Sequence, residues 1–175
     1  MKKGNMLNLF TQTGLRFIWL ALLALILDQW SKHAILASME LYQSIEITSF
    51  FNLTHTRNYG AAFSFLNDAS GWQRWFFTAI ALIVSVVIVR WLKATPKQQI
   101  MLPVAFSLIL GGAMGNVYDR LVYGYVVDFL HVYYEEFQWP VFNIADSAIF
   151  LGAVLLIIDM FKNKEEQGES NDTGN

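Results

Sequence analysis

Long apolar runs broken by short polar stretches set the pattern of this chain. Four windows, near residues 15–36, 71–92, 98–118 and 140–161, are apolar over the length of about 20 residues that a membrane-spanning helix needs. They predict a four-helix membrane bundle. The first window resembles a secretory leader, since Lys2 and Lys3 precede the run from Phe17 to Leu27. Asp28 and Lys32 stand where a small-residue cleavage site would be, so the segment is expected to be retained.

Between spans one and two, "YQSIEITSFFNLTHTRNYGAAF" roughly alternates apolar with polar positions through Ile45, Ile47, Phe51 and Leu53. This reads as short, half-buried strands resting on the membrane boundary. The connection at 119–139 is short and aromatic, and Trp139 with Pro140 is expected to mark the entrance to the last helix. A membrane-embedded domain over residues 1–162 is expected, followed by a disordered cytoplasmic tail at 163–175, "NKEEQGESNDTGN".

Composition agrees: 55% of the 175 residues are hydrophobic and 15% charged, more apolar surface than a soluble domain of this size could bury. The net charge of -2 and the lack of a basic stripe argue against nucleic acid. Lys2, Lys3, Arg16, Arg90, Lys93, Lys97, Lys162 and Lys164 flank one side of the spans, against Lys32, Arg57, Arg74 and Arg120 on the other. The richer side is cytoplasmic, so both termini are expected there. With no cysteine, disulfides, thiolate catalysis and Cys-ligated zinc are excluded. His33, His55 and His131 form no ligand motif, and neither a metal nor a cofactor is expected.

The chemistry is carried by polar residues inside the apolar windows. In "GGAMGNVYDR", Gly112, Gly115, Asn116 and Asp119 share one helical stripe. The glycines alone read as a close-packing face, as in the GxxxG pattern of Gly111 and Gly115. Asn143, Asp146, Ser147 and Phe150 repeat the spacing in the last span. With that helix starting at Pro140, Asp146 should lie about 9 Å below its start at 1.5 Å per residue. An ionisable group in a span marks function or a packing hydrogen bond. Asp28 and Lys32, at i and i+4, form either a self-neutralising pair or a snorkelling lysine with its partner. Asp119 pairs with other chain elements or, with Arg120, belongs to a site.

Asp128, in "VVDF", is flanked by Val126, Val127, Phe129 and Leu130 and is the best partner for Asp146. Two adjacent carboxyls cannot both ionise cheaply, so one is an acid and the other a base. That pair can hydrolyse a peptide bond with water. A Ser31/Lys32 dyad fails because adjacent helix residues diverge, "DASGW" lacks the first glycine of a rhomboid-type motif, and no P-loop occurs. An ion-coupled transporter subunit or a structural adaptor are the rival readings.

The ordered stretches "DQWSK", "NYGAAFSF", "GGAMGNVYDR", "VVDF" and "FNIADS", spanning residues 28–147, resemble the signal peptidase II (lipoprotein signal peptidase) family. The resemblance implies an aspartic endopeptidase of the bacterial inner membrane with Asp128 and Asp146 as its dyad. Asn58, Asn116, Arg120 and Asn143 would position substrate or dyad, with Asp28 and Lys32 in support; Gly112 and Gly115 would give room for a peptide or a neighbouring helix. It further implies a strand cradle over residues 40–65 and a dyad near the periplasmic surface. The substrate would be a diacylglyceryl-modified prolipoprotein, cut on the amino side of its lipobox cysteine. Membrane lipid and globomycin-type cyclic peptides are the other expected partners, and a monomer is expected.

Overall fold

The architecture comes from a computed structural model that describes residues 6–60 and 71–172. The stretch 61–65 of the expected cradle lies outside the described residues. A short helix α1 (Met6–Gln12) leads through a 3₁₀ turn (Gly14–Phe17) into α2 (Ile18–Ser38). Strands β1 (Ser44–Thr48) and β2 (Phe51–Asn58) follow, then helices α3 (Trp72–Ala94) and α4 (Met101–Val122). Strands β3 (Val126–Tyr134) and β4 (Phe137–Gln138) precede the last helix, α5 (Ile144–Asp172).

Among the described residues, four helical segments, Gly14–Ser38, Trp72–Ala94, Met101–Val122 and Ile144–Lys162, are long and apolar enough to cross a membrane. Leu22, Ile26, Ile83, Val86, Phe150 and Leu151 stay exposed along them, as a lipid solvent permits. Burial differs sharply among the spans. In the most apolar window of α4, 61% is buried, against 28% or less in each of the other three, so α4 is the central helix. Its small residues explain the fit. A Cβ at Gly111 would meet the α2 backbone at Ala21, one at Gly112 would collide with the carbonyl of Ala145 on α5, and one at Gly115 would strike the Asp28 carboxylate. The neighbours that use this room are helices.

At the α3–α4 connection, Gly14 N–H donates to Thr95 O (2.9 Å) and an Arg16 guanidinium N–H to Gln99 O (3.2 Å). The start of the first span is thereby tied to that connection. The other end carries the sheet, a four-stranded antiparallel array in the order β1-β2-β3-β4. Tyr42, Ile47, Phe50, Tyr134, Phe137 and Trp139 are exposed on and around it, a composition suited to a membrane–water boundary.

Three boundaries differ from the expectation. The aromatic connection after α4 is a strand, with Val126, Val127, Asp128 and Phe129 all buried; a strand covered on both faces has no polar alternation to betray it. Helix α4 runs to Val122, past the expected end at 118, and so keeps Asp119 on the stripe read for it, with Arg120 beside it. The last helix begins at Ile144, not Pro140, because Phe142 exchanges backbone hydrogen bonds with Leu130 (3.0 and 2.8 Å) and keeps the chain extended. At the far end, the backbone stays helical to Asp172 through most of the stretch assigned to a tail, since Lys, Glu and Gln readily extend an existing helix.

Candidate active site

The start of α5 organises the site. Asn143 precedes the first helical residue, and its Oδ1 accepts the Asp146 N–H (2.9 Å) while Asp146 Oδ2 accepts the Asn143 N–H (3.3 Å). This reciprocal pair is a capping box, with Asp146 at the third helical position. Asp146 therefore sits in the first turn, shallower than the 9 Å expected from a start at Pro140. The capping role alone gives an aspartate a reason to be there. It does not account for what surrounds it.

Asp146 Oδ1 also accepts a hydrogen bond from Asn116 Nδ2 of α4 (2.8 Å). Asn143 Nδ2 reaches across to β3 and donates to Asp128 Oδ1 (2.6 Å), with longer contacts to Asn116 Oδ1 (3.2 Å) and Val127 O (3.3 Å). Both carboxylates thus meet on one residue. Asp128 has 2% of its surface exposed, and its Oδ2 accepts from Asn58 Nδ2 at the end of β2 (3.0 Å). The Asn58 Oδ1 in turn accepts the Gly60 N–H (2.9 Å), which fixes the amide's orientation. Burial, and then the negative charge of Asp146, push the Asp128 carboxyl up to about 7 against the lowering effect of Asn58, Asn143 and Lys32.

Arg120 is near enough to Asp146 and Asp128 to be attracted by both. Its Nη1 donates to Asn116 O (3.3 Å), and its buried Nε finds no acceptor among the described residues. The guanidinium stands 5.7 Å from the centroid of Phe77 on α3. Arg120 therefore has donor capacity to spare beside the two carboxylates.

Behind this layer lies a buried ionic group. Lys32 Nζ contacts Asp28 Oδ2 (2.8 Å) and Asp119 Oδ2 (2.9 Å), with all three side chains at 0% exposure. The lysine points into the protein rather than snorkelling, and Asp119 pairs with it across helices rather than with the adjacent Arg120. Gly112 and Gly115 are filled against α5 and α2. Gln29 escapes a sequence reading that looks for charge, yet its Nε2 donates to Asp28 Oδ2 (3.1 Å), Asp119 Oδ1 (2.8 Å) and Gly115 O (3.2 Å). Its one sequence signal is the i, i+3 offset from Lys32.

The polar residues singled out along the chain therefore gather at one end of the bundle, where α2, α4, β2, β3 and α5 converge. Among the described residues, no group of three or more His, Cys, Asp or Glu forms a metal-ligand cluster. The arrangement offers two neighbouring carboxyls, one titrating near neutrality, with amide donors and a cation around them. That constellation suits acid–base work on a polar bond.

Comparison with known proteins gives a consistent answer. Residues 20–162 match the family model described as "Signal peptidase (SPase) II". The chain is 66% identical over 166 residues to the lipoprotein signal peptidase of Alteromonas mediterranea, covering 95% of this chain and 91% of that one. It is 63% identical to the lipoprotein signal peptidase of Pseudoalteromonas atlantica, covering 94% and 100% respectively. Among solved structures, one described as a bacterial membrane enzyme at 2.3 Å resolution superposes with a TM-score of 0.78 at 34% identity, covering 86% of this chain and 90% of that one.

Proposed function

Because the chain belongs to the signal peptidase II family, we propose that Asp128 and Asp146 are the catalytic dyad of its peptidase reaction. The protein is a multi-pass membrane protease of the aspartic type that removes signal peptides from prolipoproteins. The observation that carries the dyad is the double contact of Asn143, whose side chain holds Asp128 and whose backbone N–H meets Asp146.

In the scheme this supports, Asp128 holds the shared proton around neutrality and Asp146 is the base. Asp146 takes a proton from a water molecule as its oxygen bonds to the scissile carbonyl carbon, and Asp128 donates to the carbonyl oxygen. The neutral tetrahedral gem-diol then collapses: Asp146 passes its proton to the nitrogen, the C–N bond breaks, and one hydroxyl returns its proton to Asp128, leaving a carboxylic acid, a free amine and the dyad in its starting state. Asn58, Asn116 and Asn143 hold the carboxyls in place, and Arg120 offers its spare donors to substrate carbonyls.

The bond cut is the one on the amino side of the lipid-modified lipobox cysteine. Its acyl chains would stay in the outer leaflet while the peptide lies along the exposed aromatic face of the sheet. A dyad in the first turn of α5, beside that sheet, is at the depth such a substrate needs. The positive-inside bias supports a topology with both termini in the cytoplasm and the dyad near the periplasmic surface of the inner membrane. Cyclic peptides of the globomycin type would occupy the same site, and the enzyme would act as a monomer.

Asp128→Asn and Asp146→Asn test the dyad, since an amide fills the same space without carrying the proton. Each is expected to abolish cleavage of a lipidated prolipoprotein while the protein stays folded in detergent. Normal processing by either variant would refute the assignment.

A further inference from the structure

The cleavage scheme uses none of Asp28, Lys32 and Asp119, although burying three charges is expensive and persists only where every polar atom is matched. Here the matching is close to complete. The three ammonium protons of Lys32 face three acceptors: Asp28 Oδ2 (2.8 Å), Asp119 Oδ2 (2.9 Å) and Asn116 Oδ1 (3.0 Å). Gln29 Nε2 straps the same two carboxylates from another side, at 3.1 and 2.8 Å.

What remains of each carboxylate is spent on one peptide N–H. Asp28 Oδ1 accepts the N–H of Ala145 (2.9 Å), and Asp119 Oδ2 accepts that of Val127 (3.0 Å). These residues stand immediately ahead of Asp146 and Asp128. We propose that Asp28 and Asp119 are positioning residues, each gripping the peptide N–H that precedes one dyad aspartate, and that Lys32 and Gln29 tie the two grips into one clamp setting the dyad's separation. The proposal rests on the dyad assignment above.

The physical need is plain. Asp128 comes from a strand and Asp146 from a helix, so their spacing depends on how two unlike elements are docked. A displacement of about 1 Å in a reacting constellation costs on the order of 100-fold in rate. Fixing the backbone one residue before each carboxyl leaves the side chains free to handle protons. A network that served packing alone would show its loss in stability and leave the turnover of folded molecules unchanged.

The test uses the full chain in detergent–phospholipid micelles with a lipidated prolipoprotein substrate, scoring kcat, KM and the pH profile on material shown folded by thermal unfolding. The variants are Gln29→Leu, Lys32→Met and Asp119→Asn. Each is expected to lower kcat by about 10- to 100-fold with KM within about threefold. Charge adds a signature that packing cannot give. The charges acting on Asp128 are Asp146 of α5, Lys32 of α2 and Arg120 of α4, and behind them the carboxylates of Asp28 and Asp119 are held on Lys32. Removing the cation with Lys32→Met moves the alkaline limb of kcat/KM upward, and Asp119→Asn moves it downward.

If Lys32→Met does not fold, Lys32→Arg takes its place: it keeps the charge but its planar fork cannot meet three converging acceptors, so kcat falls with the limb unmoved. Folded variants at full kcat with unshifted limbs would overturn the clamp, as would a raised KM at unchanged kcat. Active Asp128→Asn would instead sink the dyad assignment. An inactive Asp128→Asn beside fully active Gln29→Leu and Asp119→Asn would sink the clamp alone.

Discussion

Replacing Asn58 by alanine removes one hydrogen bond from the residue whose titration governs the proposed reaction. Asn58 Nδ2 donates to Asp128 Oδ2 at 3.0 Å, and that donation favours the ionised carboxylate, as does the one from Asn143. Hydrogen bonds to charged groups contribute roughly 1.5–3 kcal/mol, and one pKa unit corresponds to about 1.36 kcal/mol. Asn58 is half-buried, so water partly replaces the lost donor and a shift of about one unit is expected. The sign is upward: with the donor gone the protonated form gains, and Asp128 keeps its proton to a higher pH. The alkaline limb of kcat/KM, expected near pH 7 where Asp128 titrates, should move up by about one unit. Measuring cleavage of a lipidated prolipoprotein in micelles from pH 5 to 9 reads this directly. A limb that stays in place or moves down would refute both the acid role of Asp128 and the part assigned to Asn58.

Stability should respond to the same group. The Asp128 carboxyl is raised from 3.8 to about 7 on folding, so the folded state holds the extra proton between those values. Stability from this group is present below about pH 4 and lost as pH rises towards 7, by up to about 4 kcal/mol. Asp128→Asn should therefore gain in unfolding temperature relative to the parent at pH 8 more than at pH 4.5; an equal difference at both would contradict it. Gly112→Ala drives a methyl against the Ala145 carbonyl and should cost about 1–3 kcal/mol by overpacking, with lower cleavage because Ala145 adjoins Asp146. Thermal unfolding at full parental temperature would show that α4 and α5 can separate freely. Asn143→Ala loses the cap and the contacts to both aspartates, and should lower kcat by at least about 100-fold while destabilising α5 by about 1 kcal/mol.

Spans and their polar stripes are legible in the sequence because lipid imposes length and apolarity on each helix separately. Asp128 and Asp146 are legible because a carboxylate in apolar surroundings calls for an explanation. Pairing is harder to read. Asp119 stands beside Arg120 in the chain, but Lys32 takes it because α2 crosses α4 there. Strand β3 hides because both its faces are covered at Val126–Phe129. The start of α5 is misplaced because a proline suits the first turn of a helix, whereas a backbone pairing with Leu130 decides the matter. Gln29 is invisible because its importance comes from two carboxylates that other parts of the fold bring to it.

The clamp residues also bear on how the protein is made. Asp28 waits for Ala145 across 117 residues of chain, and Lys32 waits for Asn116 across 84. At bacterial or eukaryotic elongation speeds of about 5–20 residues per second, the first interval lasts roughly 6–23 s. During that time the nascent first segment can neutralise itself through its own aspartate and lysine one helical turn apart. The same two side chains that close the finished assembly thus give the newborn helix a provisional partner until its later neighbours emerge.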